Sequence, residues 1–170
     1  MAIENLKSAL SAGARPNKYR IYMAIPGYSG GDDVVDVLAK STTLPDVTVG
    51  VIPVWSQGRK LNLAGDVAYS GTWDVTFYNT ADLELRKAFE DWVKSIDDAQ
   101  NDVRENDRVQ DYVIDLVVQQ LDGKNSPTAS YIIYNAWPSS ISAVDLADDS
   151  ADTISEFTVT LTYSHWERTA

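Results

Sequence analysis

The stretch QGRKLNLAGD, residues 57–66, sets Arg59 and Lys60 side by side with Asp66 further along, in a chain whose 14 Lys and Arg are outnumbered by 25 Asp and Glu. A cation pair beside a glycine can clamp an anionic substrate, or it can fix the register of a surface that meets another protein. The tetrapeptide GGDD at 30–33 offers two carboxylates for a metal beside substrate phosphates and superficially resembles the motif of nucleotide cyclases. That chemistry requires a hairpin within an alternating α/β domain, whereas these residues fall between a strand and a helix start, so they read as a loop. Asp145, Asp148, Asp149 and Asp152 supply the oxygens calcium takes, but they lack the central glycine and spacing of a calcium loop and read as solvated acids. His165 is the only histidine, and Ser164 beside it projects from the opposite face of a strand. Neither a His-rich metal centre nor a Ser-His pair can be built there.

With no cysteine, the chain has no disulfide framework and no thiolate metal site. It also has no phosphate-cradling loop, nucleophile elbow or dinucleotide fingerprint. Its 5 Trp and 9 Tyr suggest a carbohydrate platform, yet Trp73, Trp92 and several tyrosines fall on faces expected to be buried, so core packing accounts for them. The residues offer no catalytic group, no cofactor site and no metal site. Arg59, Lys60 and Asp66 remain as a contact surface.

The elements that must carry these residues follow from periodicity. A length of 170 residues fits one domain with a sizeable core, and 44% hydrophobic with 23% charged residues excludes wholesale disorder. The acids are 19 Asp against 6 Glu, which favours turns and strand ends over helix interiors. Residues 1–16 form an N-terminal arm, where Ile3, Leu6 and Leu10 allow one or two helical turns before GARP, and residues 17–170 form a single β-domain. Alternation predicts strands over 18–25, 46–55, 59–65, 71–79, 109–121, 129–138 and 153–166, with a short helix over 32–40. Asn79 or Thr80 caps the one long helix, about 81–97, whose Leu85, Phe89, Trp92, Val93 and Ile96 share a face. The acidic stretch 97–108 is a linker. On the strand 109–121, Tyr112, Ile114, Leu116 and Val118 point one way, and Asp111, Asp115 and Gln119 the other.

The net charge of −11 and pI near 4.3 argue against gripping a phosphate backbone, which needs clustered Lys and Arg. The start MAIENLKSAL carries an early acid and no continuous apolar segment, so neither a secretion signal nor a membrane anchor is expected.

The run LAKSTTLPDVTVGVIPVWSQGRKLNLAGDVAYSGTWDVTFYNTADLELRKAFEDWVKSI resembles the tail tube proteins of contractile-tailed bacteriophages. Family members similarly carry an LP before a strand, a GR-K-x-AGD hairpin arm, a W-x-V-T-F-Y-N strand and, directly after it, an LR-x-AFE-x-W helix. The ending AWPSSISAVDLADDSADTISEFTVTLTYSHWE is similar to the family's last loop and strand. The likeness spans most of residues 38–167; the acidic stretch 97–108 and the GKNSPT turn look individual to this chain.

The resemblance implies a mainly β fold, a β-sandwich or small barrel of two packed antiparallel sheets with one flanking α-helix. It implies hexameric rings whose strands join into one inner barrel, stacked as a tube inside a sheath. The implied partners are copies of itself, the tail sheath protein, baseplate and tail terminator proteins, and DNA that passes through without specific binding. The implied setting is the virion tail, assembled in the host bacterial cytoplasm. The alternatives are the inner tube of a contractile injection or type VI secretion system carrying protein effectors and, from the residues alone, a monomeric carbohydrate-binding sandwich. On the tube reading, Arg59, Lys60 and Asp66 make subunit or ring contacts, and a predominantly acidic channel wall draws on Asp111, Asp115, Gln119, Glu156 or Asp74.

Overall fold

The computed structural model describes residues 2–10, 13–97, 108–147 and 153–169. In chain order it has α1 (Ala2–Leu10), β1 (Tyr19–Tyr22), α2 (Asp32–Leu38), β2 (Ala39–Thr42), β3 (Val47–Ser56), β4 (Arg59–Tyr69) and β5 (Thr72–Tyr78). Then follow α3 (Glu84–Ile96), α4 (Val109–Tyr112), β6 (Ile114–Leu121), β7 (Pro127–Ile141), β8 (Glu156–Thr162) and β9 (His165–Arg168).

Every strand pairing is antiparallel, in the order β1-β6-β7-β8-β5-β2, with β9 on β7 and with β3-β4 as a separate ribbon. The long strand β7 belongs to two layers. Up to Ala136 it pairs with β6, while from Trp137 to Ile141 it pairs with β8. Just before this switch, at the register shift in the β6 pairing, Asn135 adopts φ 54°, a left-handed conformation that asparagine tolerates, and its N–H donates to the Asp115 carboxylate at 3.0 Å. The result is two packed antiparallel layers, β1-β6-β7-β9 and β2-β5-β8-β7, joined through β7 and not closed as a barrel.

Alternation builds the core between the layers. Ile21, Leu116, Val118 and Ile133 point in from one layer, Trp73, Val75, Phe77, Phe157, Val159 and Leu161 from the other, and all are buried. Helix α3 lies on the same interior. Its Leu85, Phe89 and Trp92 are buried, and the Phe89 ring sits 5.5 Å from Phe77 and 6.2 Å from Phe157. The Trp92 indole donates to the Tyr112 carbonyl at 2.8 Å, tying α3 to α4.

Several expectations need correction. The long helix begins at Glu84, not 81, because Leu83 is left-handed at φ 54°. Neither Asn79 nor Thr80 caps it: the Asn79 backbone and side-chain N–H groups both go to Ser155, and the Thr80 hydroxyl bonds Asp82. Val93 of the expected apolar stripe is exposed. Residues 109–112 form a helical turn, so β6 starts at Ile114 and Asp111 does not share its face. Alternation fails as a guide there because one helical turn keeps the same apolar content. The helix expected over 32–40 ends at Leu38, and Ala39–Thr42 form β2, four residues fused directly to it. Most of the acidic stretch, 98–107, and Asp148, Asp149 and Asp152, read above as solvated acids, lie outside the described residues.

Candidate functional site: an exposed ribbon and a hydroxyl face

Ser56 pairs with Arg59 across a two-residue turn in which Gln57 and Gly58 have φ 49° and 77°. Two successive positive φ angles make a turn whose twist matches the flanking strands, and Gly58 takes the second position without strain. The turn joins β3 and β4 into a ribbon interrupted by a register shift between Val49 and Val51. There Gly50 and Gly65 let the two backbones approach: a Cβ on Gly65 would lie 3.1 Å from the Gly50 carbonyl.

The ribbon is exposed along its length. All of β3 and all of β4 except Gly65 are open to solvent. Its base is held by the body through the Tyr69 ring, 6.1 Å from Trp166, and the Trp166 indole donates to the Asp46 carbonyl at 2.9 Å. Arg59 and Lys60 occupy the tip, with the Lys60 ammonium 5.9 Å from the Trp55 ring centre. Asp66 sits at the waist, about 20 Å away at the rise of an extended strand. The three residues singled out by sequence are therefore on one ribbon but do not converge.

The outward face of the β2-β5-β8-β7 layer is almost entirely hydroxyl-bearing. Thr72, Asp74 and Thr76 of β5 stand beside Thr162, Thr160 and Thr158 of β8. The Thr76 and Thr158 hydroxyls are 2.9 Å apart, and Thr160 donates to the Asp74 carboxylate at 2.6 Å. Ser41 of β2 lies opposite Thr76, and Ser140 of β7 opposite Thr160. At one end Glu156 forms an ion pair with Lys40, and that hydrogen bond raises the ammonium pKa above its ordinary value.

The outward face of the other layer differs in kind. Asp115 and Gln119 share it with Arg20, Tyr22, Tyr134 and His165, the last two rings stacked 4.7 Å apart. Asp115 is committed to the Asn135 amide, and the Gln119 amide donates to Ser130 at 3.1 Å. The five channel-wall candidates are thus dispersed: Asp115 and Gln119 on one layer, Asp74 and Glu156 on the other, Asp111 in α4.

The layer edges are also unequal. The Ile21 amide of β1 donates at 2.7 Å to the carboxylate of Asp36 in α2, so a side chain occupies the edge at that point. Sequence reasoning missed Asp36; an acid in the fifth position of α2 lies beyond the first turn and has no cap to make, which is the signal available in the sequence.

A family model described as "Phage tail tube protein" matches residues 14–169. The chain is 30% identical over 171 aligned residues to the tail tube protein of Enterobacteria phage T4, covering 98% of this chain and 100% of that one. Among solved structures it is similar to a chain of the anti-feeding prophage baseplate, with TM-score 0.68 and 15% identity over 92% of this chain and 95% of that one. It is also similar to a chain of the sheath-tube complex of an extracellular contractile injection system in its extended state, with TM-score 0.65 and 14% identity over 97% of both chains.

Proposed function

The chain belongs to the phage tail tube protein family, and from that premise we propose that it forms hexameric rings stacked into a hollow tube that conducts the viral genome. It is a structural subunit of the virion tail, not an enzyme. Its partners are further copies, a surrounding sheath, a baseplate and a terminator, with assembly in the host cytoplasm. The whole-length identity is to phage proteins, while the injection-system likeness is one of fold. Genome conduction is therefore the stronger reading, ahead of protein cargo.

The observation that carries the channel assignment is the hydroxyl face of β5 and β8. A conduit must surround a polyanion without holding it, and each phosphate paired with Lys or Arg would add a salt-dependent release barrier. Rows of threonine offer water-like hydrogen bonding and no cation. Asp74 supplies one acid per subunit, while Glu156 is neutralised by Lys40. The wall is then chiefly hydroxyl with a repeated ring of Asp74, not the predominantly acidic wall that net charge suggests. Repulsion from it fades within about 8 Å at physiological salt. The β2-β5-β8-β7 layer also suits ring closure, because its two outer strands, β2 and the second half of β7, each pair on one side only among the described residues.

Virions carrying Asp74→Lys test this. Tubes should form normally by negative-stain microscopy, and genome ejection should slow by an order of magnitude or more, while Asp115→Lys virions eject at a rate closer to the parent. Equal ejection from parent and Asp74→Lys virions would remove this face from the channel.

A further inference from the structure

The strand segments of the β2-β5-β8-β7 layer, residues 39–42, 72–78, 156–162 and 137–141, contain one cation, Lys40, against two acids, Asp74 and Glu156. A lysine is out of place on a face that should offer a passing polyanion nothing to hold, since each phosphate it paired would add a salt-dependent barrier. Its place in the fold accounts for it.

Lys40 stands at the register shift of β2, where Ala39 faces Phe77 and Ser41 faces the adjacent Thr76, so Lys40 is the extra residue of a bulge. A bulge re-aims a side chain. Here the side chain crosses the outward face of β5: its ammonium lies 5.7 Å from the centre of the Tyr78 ring and donates to the Glu156 carboxylate of β8. Tyr78 and Glu156 are themselves cross-strand partners. Lys40 thus ties β2, an edge strand with three paired positions, to a strand with which it shares no backbone pairing.

The same tie puts a cation where conduction cannot tolerate a free one. The Lys40 and Glu156 side chains are 42% and 43% exposed, so the pair stands in water where a phosphate can reach it. Asp74, the other acid of these strands, is no substitute for Glu156. It lies four residues from Tyr78 along β5, about 13 Å at the rise of a strand, and so beyond the screening length of about 8 Å at physiological salt. With Glu156 uncharged, every subunit would present a bare ammonium, multiplied around and along the tube.

We propose that Glu156 is a shielding residue: by occupying the Lys40 ammonium it lets β2 keep its cross-strand tie while denying passing phosphates the one cation of these strands. This rests on the reading of the β2-β5-β8-β7 face as the channel wall. The pair is symmetric in structure and asymmetric in function. Loss of either partner breaks the same ion pair, but only loss of the acid uncovers a cation.

Virions carrying Glu156→Gln, Lys40→Gln or both separate shielding from a purely structural tie. Glu156→Gln should slow genome ejection about tenfold at low ionic strength and recover toward the parental rate as salt rises, the signature of phosphate held by a cation. Lys40→Gln should eject no more slowly than the parent, and adding it to Glu156→Gln should restore the rate. Thermal unfolding of the dispersed proteins should shift by the same small amount in both single variants, which lose the same exposed pair. Equal slowing by the two single variants, or parental ejection by Glu156→Gln, would overturn the proposal. Retention of a short DNA duplex by tubes of the purified chain repeats the comparison without the rest of the virion. Only Glu156→Gln tubes should hold the duplex at low salt, and equal retention by parent and all variants would count against shielding in the same way. If Asp74→Lys virions also eject like the parent, the channel reading is what fails; slow Asp74→Lys beside parental Glu156→Gln defeats the shield alone.

Discussion

Trp92 sits where α3, α4 and the β-layers meet, and it does two jobs there. Its ring stacks 6.3 Å from Phe89 within an aromatic group that includes Phe77 and Phe157, and its N–H satisfies the Tyr112 carbonyl at the end of α4. Trp92→Ala removes both contributions, and because the site is fully buried it should cost about 3 to 5 kcal/mol, read from the urea midpoint of the dispersed protein. Trp92→Phe separates the two, recovering most of the packing while leaving the carbonyl unpaired. A loss below about 1 kcal/mol in the alanine variant would show that the neighbours collapse into the space. These core residues were legible in the sequence, since a period near 3.6 beside strands of period 2 leaves little choice of face. Asp111 was not, because Val109 to Tyr112 carries the same composition in a helical turn as in a strand. Nor was the duty of Asp115, which depends on a left-handed residue twenty positions away on another strand.

At the scale of elements, strand edges decide what joins to what. An open edge is a row of unpaired N–H and C=O groups that invites another strand, and natural sheets blunt the edges that must stay single. Asp36 does this for β1: α2 packs beside that strand and delivers a carboxylate to the Ile21 amide, with Arg20 3.5 Å from the other oxygen. Asp36→Ala therefore exposes an edge amide next to a buried residue. Loss of a charge-assisted bond costs about 1.5 to 3 kcal/mol, and the variant should form disordered aggregates alongside tubes in electron micrographs. Tubes of parental purity and an unchanged unfolding midpoint would show that the carboxylate is not guarding the edge. Alternation in YRIYMAI announced the strand from sequence, but nothing local indicates that an acid fifteen residues later closes its flank. Strand β2 was hidden for a related reason: four residues directly following a helix give too short a run for periodicity to register, and only pairing with β5 reveals it.

For the whole molecule, assembly follows from an imbalance between what the chain buries alone and what it leaves open. The core between the layers is complete, with large side chains such as Trp73, Phe77 and Phe157 removed from solvent. The ribbon and the edges of the β2-β5-β8-β7 layer are not complete, so the free subunit is stable yet unfinished. The family was legible because its arm, strand and helix motifs follow one another in sequence; the channel face was not, since alternation tells the two sides of a strand apart without saying which side meets water, DNA or a neighbour. Arg59 and Lys60 at the ribbon tip give this imbalance a charge. Placed against another copy of a chain of net −11, they set the register of docking and speed encounter more than they deepen affinity, as exposed pairs are worth about 0 to 1 kcal/mol each. Arg59→Glu with Lys60→Glu should leave the unfolding midpoint within about 0.5 kcal/mol of the parent, because neither side chain touches the core. The same variant should polymerise slowly at low ionic strength and recover part of the parental rate as added salt screens the repulsion it creates, whereas the parent should slow under the same addition. Opposite salt responses would mark a tip that meets acidic copies of its own chain. If both proteins polymerise at the same rate across the salt series, the cation pair is simply solvated.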